Sequence, residues 1–175
     1  RHFRLDHVRG GDNDAALRKA AEHGHVLTTK LLLEHGANVH ADNDYALRAA
    51  ANEGHTKTVS LLLDNGGDIH SGKDSCLRSA AKGGHTETVN LLIERGADIH
   101  ADNDGALLEA TYRNHPETVK ALLAKYPTKL LKELKNQTRK SDSLEQVLPA
   151  MEKELKLRLI NSVRKHQDQY PGMDM

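Results

Sequence analysis

Histidine is the residue type that most directly suggests chemistry in this sequence, because a neutral imidazole is a common ligand of zinc. The 175-residue chain contains twelve histidines. Most of them fall into two sets with members thirty residues apart, His25, His55, His85 and His115, and His40, His70 and His100. A structural zinc site usually draws its four ligands from closely spaced pairs. His23 and His25 are close in sequence, but no equivalent pair recurs in the other copies. We therefore predict no metal and no cofactor, and expect the first set to bond the loop between two helices and the second to hold a turn.

Other catalytic side chains give no stronger indication of an enzyme. Cys76 stands where the other copies have Ala16, Ala46 and Ala106, which predicts a small buried packing residue. No basic neighbour in the sequence favours a reactive thiolate there. The sequence contains no nucleophile elbow, phosphate-binding loop or two-histidine metal helix. We predict that the chain is not an enzyme and binds no small-molecule substrate; any catalysis would belong to other parts of a longer protein.

The composition limits the kinds of partner. The 25 Lys and Arg residues balance the 25 Asp and Glu residues, so there is no general attraction to nucleic acid or to an anionic membrane. No apolar run approaches the roughly 20 residues that a membrane helix needs. With four Tyr, one Phe and no Trp, leucine and small residues must form the core. A single cysteine fits a reducing compartment, and we expect a monomer in the cytoplasm.

The whole chain between residues 11 and 130 is periodic. Blocks 11–40, 41–70, 71–100 and 101–130 align without insertions. Residues of one type recur at several aligned positions, including Asp14, Asp44, Asp74 and Asp104, and Leu17, Leu47, Leu77 and Leu107. A fixed period of this length is typical of stacked repeats. Residues 1–10 would then be a leader or the remnant of an earlier repeat.

One block, residues 41–70, predicts a helix, a turn, a second helix and a protruding loop. Asp44 is a suitable N-cap for an alanine-rich helix, and Gly54 ends it. The second helix begins two residues later and carries an apolar stripe of Val59, Leu62 and Leu63. The connection to the following block is expected to be an extended turn that projects sideways. Thirty residues bury too little apolar area to fold alone, so the blocks must stack.

The segments "AAANEGHTKTVSLLLDNGGDIH" and "AAKGGHTETVNLLIERGADIH" resemble the ankyrin repeat. The resemblance covers about two thirds of the chain and implies an all-α, ankyrin-like helical solenoid of four 30-residue repeats. Two features depart from the family pattern. The usual Thr-Pro-Leu-His is replaced by DAALR, DYALR, DSCLR and DGALL, and the period is shorter than the usual 33 residues or so. Such short repeats are similar to those of large amoebal viruses and intracellular bacteria, so the expected cytoplasm includes that of a host cell.

Positions that differ between otherwise constant blocks are candidates for binding. The resemblance implies that partner proteins dock on the concave surface formed by the first helices and the loop tips. The variable positions lie on the first helix and at the loop tip, and neutral drift at solvated positions is the alternative explanation. The residues predicted to contact a partner are Lys19, Glu22, His23, Tyr45, Asn52, Glu53, Ser75, Ser79, Lys82, Glu109, Tyr112 and Arg113.

Arginine also recurs, at Arg18, Arg48 and Arg78, and the series ends at Leu108. One interpretation is a basic strip for an acidic partner. The other, which we favour, is a ladder of ion pairs with the recurring aspartates of adjacent layers, Asp14, Asp44, Asp74 and Asp104. Exposed pairs of this kind stabilise a fold by only about 0–1 kcal/mol each.

Beyond Lys125-Tyr126-Pro127 the repeat pattern ends, and residues 131–175 are expected to form a C-terminal helical cap. The segment has a mild basic excess without interleaved aromatic residues, so nucleic-acid binding is not favoured. Three functions remain in view. The first is a non-catalytic scaffold that binds a partner protein. The second is a two-partner adaptor whose C-terminal helices recruit another protein, such as a ubiquitin-ligase component. The third is the targeting part of a larger enzyme or effector.

Overall fold

A computed structural model describes residues 10–126 and Lys153 of the chain. The described residues form helices only, which confirms the all-α prediction for this part of the chain. The helices are α1 (Gly10–Glu22), α2 (Val26–Glu34), α3 (Ala41–Asn52), α4 (Thr56–Asp64), α5 (Ser71–Lys82), α6 (Thr86–Glu94), α7 (Ala101–Tyr112) and α8 (Pro116–Leu123). None of them is both long and apolar enough to cross a membrane. The chain divides into two compact units, Arg1–Thr118 and Val119–Met175.

Each helix pair is made by the same local signals. The first helix of each of the first three pairs ends next to a glycine with positive φ, as at Gly54 with φ +72°, a conformation that costs a glycine little. In the last pair Asn114, with φ 58°, takes this place. The second helix starts two residues later, at Thr56 and, in the last pair, at Pro116. Val59 and Leu62 on its inner side are completely buried. These boundaries confirm the predicted helix–turn–helix unit.

The helix pairs stack through equivalent positions. Leu17, Leu47, Leu77 and Leu107 are at most 3% exposed, and each occupies the same place in its first helix. The first helices α1, α3, α5 and α7 make closer contact with one another than the second helices do. Small side chains permit this approach, since Ala50 and Ala80 are completely buried between them. The first helices therefore form the more closely packed of the two rows of helices in the stack.

The predicted N-cap role of Asp44 is wrong. Asp42, Asn43 and Asp44 have φ values of 53°, 55° and 56°, so they form one left-handed turn before the right-handed helix begins at Tyr45. The Asp44 side chain bonds instead to His40 and to the backbone N–H of Asp68. Asp and Asn tolerate this conformation better than most residues. The same turn recurs at 72–74 and 102–104, so the end of the connection that the sequence predicted to be extended is a left-handed turn instead.

Two segments of the prediction lie outside the described residues. These are residues 1–9 and, except for Lys153, the C-terminal segment that includes the helical cap proposed for 131–175. The cap and the total number of repeats in the chain therefore stay predictions. Four helix pairs at thirty-residue spacing are present between residues 10 and 126.

Candidate interaction surface

The first histidine set joins each helix pair to the preceding one. His55 Nε2 donates to the carbonyl oxygen of Glu22 at 3.1 Å, and His85 Nε2 donates to that of Asn52 at 2.8 Å. The His85 ring also covers Gly54 so closely that an added Cβ would lie 2.4 Å from its Nδ1 atom. The accepting carbonyl groups belong to the last residue of the first helix in the neighbouring repeat, and the ring packs against the interhelical loop that follows this residue. This contact explains why glycine and histidine recur together.

The second histidine set belongs to a hydrogen-bonded ladder along the left-handed turns. His70 Nδ1 lies 3.1 Å from Asp74 Oδ1, and the same oxygen accepts the backbone N–H of Asp98 at 2.9 Å. Asp98 Oδ1 in turn accepts the backbone N–H of His100 at 2.9 Å. Equivalent bonds connect His40, Asp44 and Asp68. The predicted role of these histidines in holding a turn is confirmed.

Except for His25, whose ring lies 5.9 Å from that of His23, the imidazoles of both sets have hydrogen-bond partners within the chain. Within residues 10–126 and Lys153, no three His, Cys, Asp or Glu side chains are grouped so that they could hold a metal ion. Cys76 is buried and its Sγ lies 3.2 Å from the carbonyl oxygen of Ile69. Burial raises the pKa of this thiol from 9.0 to about 12. Its predicted role as a buried packing residue is confirmed.

The variable positions lie together on one surface of the stack. We call it the first-helix face and define it by the positions equivalent to Tyr45, Arg48, Ala49, Asn52 and Glu53. Residues three, four, seven and eight apart on a helix share one side, which places these positions in one strip per repeat. Of the predicted contact residues, the exposed ones are Lys19, His23, Tyr45, Asn52, Glu53, Lys82, Tyr112 and Arg113. Those that are half-buried are Glu22, Ser79 and Glu109.

The prediction that Ser75 lies on the surface is wrong. It is 8% exposed, and its hydroxyl donates to the carbonyl oxygen of Ser71 at 3.0 Å. Gly105, at the equivalent position of α7, is also buried. Tyr45 itself is 40% exposed.

Some exposed charges of the first-helix face are paired within the chain. Lys19 Nζ lies 2.7 Å from Glu22 Oε2. This hydrogen bond raises the pKa of Lys19 and lowers the pKa of Glu22. Asn52 Nδ2 donates to Glu53 Oε1 at 2.7 Å. Such solvent-exposed contacts contribute little to folding and are readily exchanged for contacts to a partner.

The arginine ladder exists, but its carboxylates are not the predicted ones. Arg18 pairs with Asp42 and Arg78 pairs with Asp102, in each case with the aspartate 24 residues later. The aspartates equivalent to Asp74 are unavailable because they hold the backbone of the turns. Gly72 occupies the place of Asp42 and Asp102 in the remaining pair. Arg48 therefore differs from the other two arginines.

A cleft of about 460 Å³ opens beside helix α7. It is lined by Arg78, Asp102, Gly105, Leu108, Glu109 and Tyr112. Gly105 stands where other repeats have larger side chains, and Leu108 stands where they have arginine. Leu108 is 39% exposed and Tyr112 is 82% exposed, so the cleft has an apolar wall. Sequence reasoning noted the end of the arginine series at Leu108 but did not include Leu108 or Gly105 among the contact residues.

A family model described as ankyrin repeats (3 copies) matches residues 3–73 and again residues 71–133. No curated protein matches the chain. The matched residues cover well over half of the 175-residue sequence, and the described residues have the stacked helix pairs that the resemblance implied. The chain therefore belongs to the ankyrin repeat family.

Proposed function

We propose that this chain is a non-catalytic interaction module that binds a partner protein through the first-helix face. Ankyrin repeats are generally protein–protein interaction modules. The observation that carries the proposal is the contrast between two kinds of position. The buried leucines and alanines, and the histidines and aspartates that hold the turns, are nearly identical in every repeat. Tyr45, Lys82 and Tyr112, by contrast, are exposed and have no counterpart at the equivalent positions of the other repeats. A rigid copied frame thus displays uncopied side chains in a row.

The chemistry of the face favours a protein over nucleic acid. Both signs of charge are present, and the net charge of the sequence is zero, so there is no strong positive field of the kind that binds phosphate backbones. Tyr45 and Tyr112 offer large contact areas with a hydroxyl group, a combination that is enriched in binding hot spots. The single buried thiol is compatible with a reducing compartment such as the cytoplasm. We propose that the module acts there as a monomer.

The test compares partner capture from a lysate by three forms of the full chain. The first form is unaltered, and the second carries Tyr45→Ala, Lys82→Ala and Tyr112→Ala on the first-helix face. The third carries matched control substitutions on the second helices at exposed residues, Lys57→Ala, Glu87→Ala and Glu94→Ala.

We expect a partner that the unaltered chain and the control variant both retain and that the first-helix variant loses. Circular dichroism should show the same helical content for all three forms, because every substituted residue is exposed. If the first-helix variant retains every captured protein as well as the unaltered chain does, the proposed surface is wrong.

A further inference from the structure

The first-helix face contains one arginine, Arg48, that lacks the aspartate with which the equivalent arginines of two other repeats form ion pairs. In the two complete rungs, the guanidinium groups of Arg18 and Arg78 contact Asp42 and Asp102 of the following repeat. Arg48 has the same position in its helix, but the residue 24 positions later is Gly72. Among the residues that the structure describes, no Asp or Glu forms an ion pair with Arg48. Its Nη2 atom donates only to the carbonyl oxygen of Asp42, at 3.1 Å.

The surroundings of Arg48 hold its side chain in place but leave some of its hydrogen-bond donors without an acceptor. The guanidinium carbon lies 5.6 Å from the centre of the Tyr45 ring, within the distance of a cation–π contact. The Nε atom of Arg48 is buried and has no hydrogen-bond partner within residues 10–126 or at Lys153. In Arg18 and Arg78 it is the Nη1 atom that contacts the aspartate, and a charged acceptor forms a strong hydrogen bond with a guanidinium group. Gly72 is exposed, so the region where the missing aspartate would lie is open to solvent.

We propose that Arg48, Tyr45 and the gap above Gly72 form a binding site for an aspartate or glutamate side chain of the partner protein. The inference rests on the proposed function of the first-helix face and specifies the chemistry of one contact. The two intact rungs indicate the ligand, because in both of them the same arginine position binds a carboxylate of this chain. The partner's carboxylate would form the third arginine–carboxylate pair, with Arg48, in the same way. Tyr45, beside the guanidinium, would contact the partner's backbone or neighbouring side chain.

The chain itself offers a variant that fills the site without removing the arginine. Gly72→Asp restores the residue type found at the equivalent positions Asp42 and Asp102, whose φ values of 53° match the φ of 59° at Gly72. The new carboxylate should form an ion pair with Arg48 and thereby exclude the partner's carboxylate. Gly72→Asn is the matched control, because asparagine has nearly the same shape and backbone tolerance but no charge. An added Cβ lies 3.0 Å from the Ser75 hydroxyl oxygen, and both variants share this contact.

The experiment selects short random peptides by display on the full chain and measures the affinity of the enriched peptides for each variant. We expect peptides that share an Asp or Glu at one position and that lose affinity by about 10- to 100-fold with Gly72→Asp and with Arg48→Gln, the size of a charge-assisted hydrogen bond. Affinity for Gly72→Asn should stay within about threefold, because the arginine remains free. Replacing the shared acidic residue of the peptide by its amide should remove the difference between the chain and Gly72→Asp, as a double-mutant cycle requires.

The possible outcomes separate this inference from the function on which it rests. Peptides that need Tyr112 but show no acidic preference, or that bind Gly72→Asp as well as the unaltered chain, would overturn the Arg48 site and leave the first-helix face intact. Equal losses with Gly72→Asp and Gly72→Asn would also overturn it, because the effect would then be steric. Peptides that are insensitive to Arg48→Gln and to Tyr112→Ala alike would contradict both proposals.

Discussion

Replacing Asp74 by alanine is expected to destabilise the stack by about 2–4 kcal/mol, although the residue lies on no binding surface. Asp74 is 6% exposed, and its Oδ1 atom accepts the backbone N–H of Asp98 at 2.9 Å. A hydrogen bond to a charged group contributes about 1.5–3 kcal/mol, and its loss leaves the Asp98 N–H without this acceptor. Alanine must also adopt the φ of 53° at this position, which adds about 1 kcal/mol.

Two further variants separate these contributions. Asp74→Asn keeps an acceptor oxygen and tolerates the left-handed conformation, so it should cost less than about 1.5 kcal/mol. Asp14→Ala is the matched control, because Asp14 makes the equivalent bond to the Asn38 N–H at 2.7 Å but is half-exposed and lies within the continuous helix α1. It should cost about 1 kcal/mol.

The assay is urea unfolding of the full chain followed by far-ultraviolet circular dichroism, with the free energy of unfolding extrapolated to water. The expected order of stability is unaltered chain, then Asp74→Asn and Asp14→Ala, then Asp74→Ala. A loss below about 0.5 kcal/mol for Asp74→Ala, or a loss equal to that of Asp14→Ala, would refute the idea that the buried carboxylates hold the turns together.

Two other predictions concern the same turn and the core beside it. Lys73 has a φ of 57°, whereas the equivalent residues Asn43 and Asn103 are of a type that tolerates this conformation. Lys73→Asn should therefore raise the free energy of unfolding by about 0.5–1 kcal/mol. A thermal unfolding midpoint that does not rise would argue against a left-handed turn here. The Cys76 thiol should react with a disulfide reagent only after unfolding, because burial raises its pKa from 9.0 to about 12. Between those two pH values the unfolded chain loses a proton that the folded chain keeps, so the unaltered protein should lose stability relative to Cys76→Ala as the pH rises. Equal losses in the two proteins, or rapid labelling of the folded chain, would contradict this.

The repeated frame was predictable because its signals are local or periodic. The thirty-residue spacing of Leu47, Leu77 and Leu107 predicted equivalent buried places, and these residues are at most 3% exposed. Gly54 predicted the end of a helix, since a left-handed φ follows from the residue type. The sequence predicted that the histidines equivalent to His55 bond an interhelical loop, and in the structure the accepting carbonyl belongs to the last residue of the first helix in the preceding repeat.

The errors fall where a side chain has several partners within reach. Asp44 was assigned to its own helix terminus, but it bonds to His40 and to the backbone of Asp68, which lies 24 residues later. The carboxylate predicted for Arg18 is wrong for the same reason. Asp42 and Asp44 are only two residues apart, and Arg18 pairs with Asp42. Ser75 was placed on the surface, although a small hydroxyl can fold back to the carbonyl oxygen of Ser71.

By itself, the sequence determined the period, the helical class and the family resemblance, because these depend on spacing and residue type along one chain. The tertiary structure decided which of several aspartates holds a turn, which pairs with an arginine, and which arginine is left without a carboxylate. Those choices depend on distances between neighbouring repeats, and two carboxylates of the same chemistry cannot be told apart until the backbone places them. The substitution of Gly72 for aspartate is visible in the sequence, but its meaning at Arg48 follows only from the contact that its neighbours Arg18 and Arg78 make.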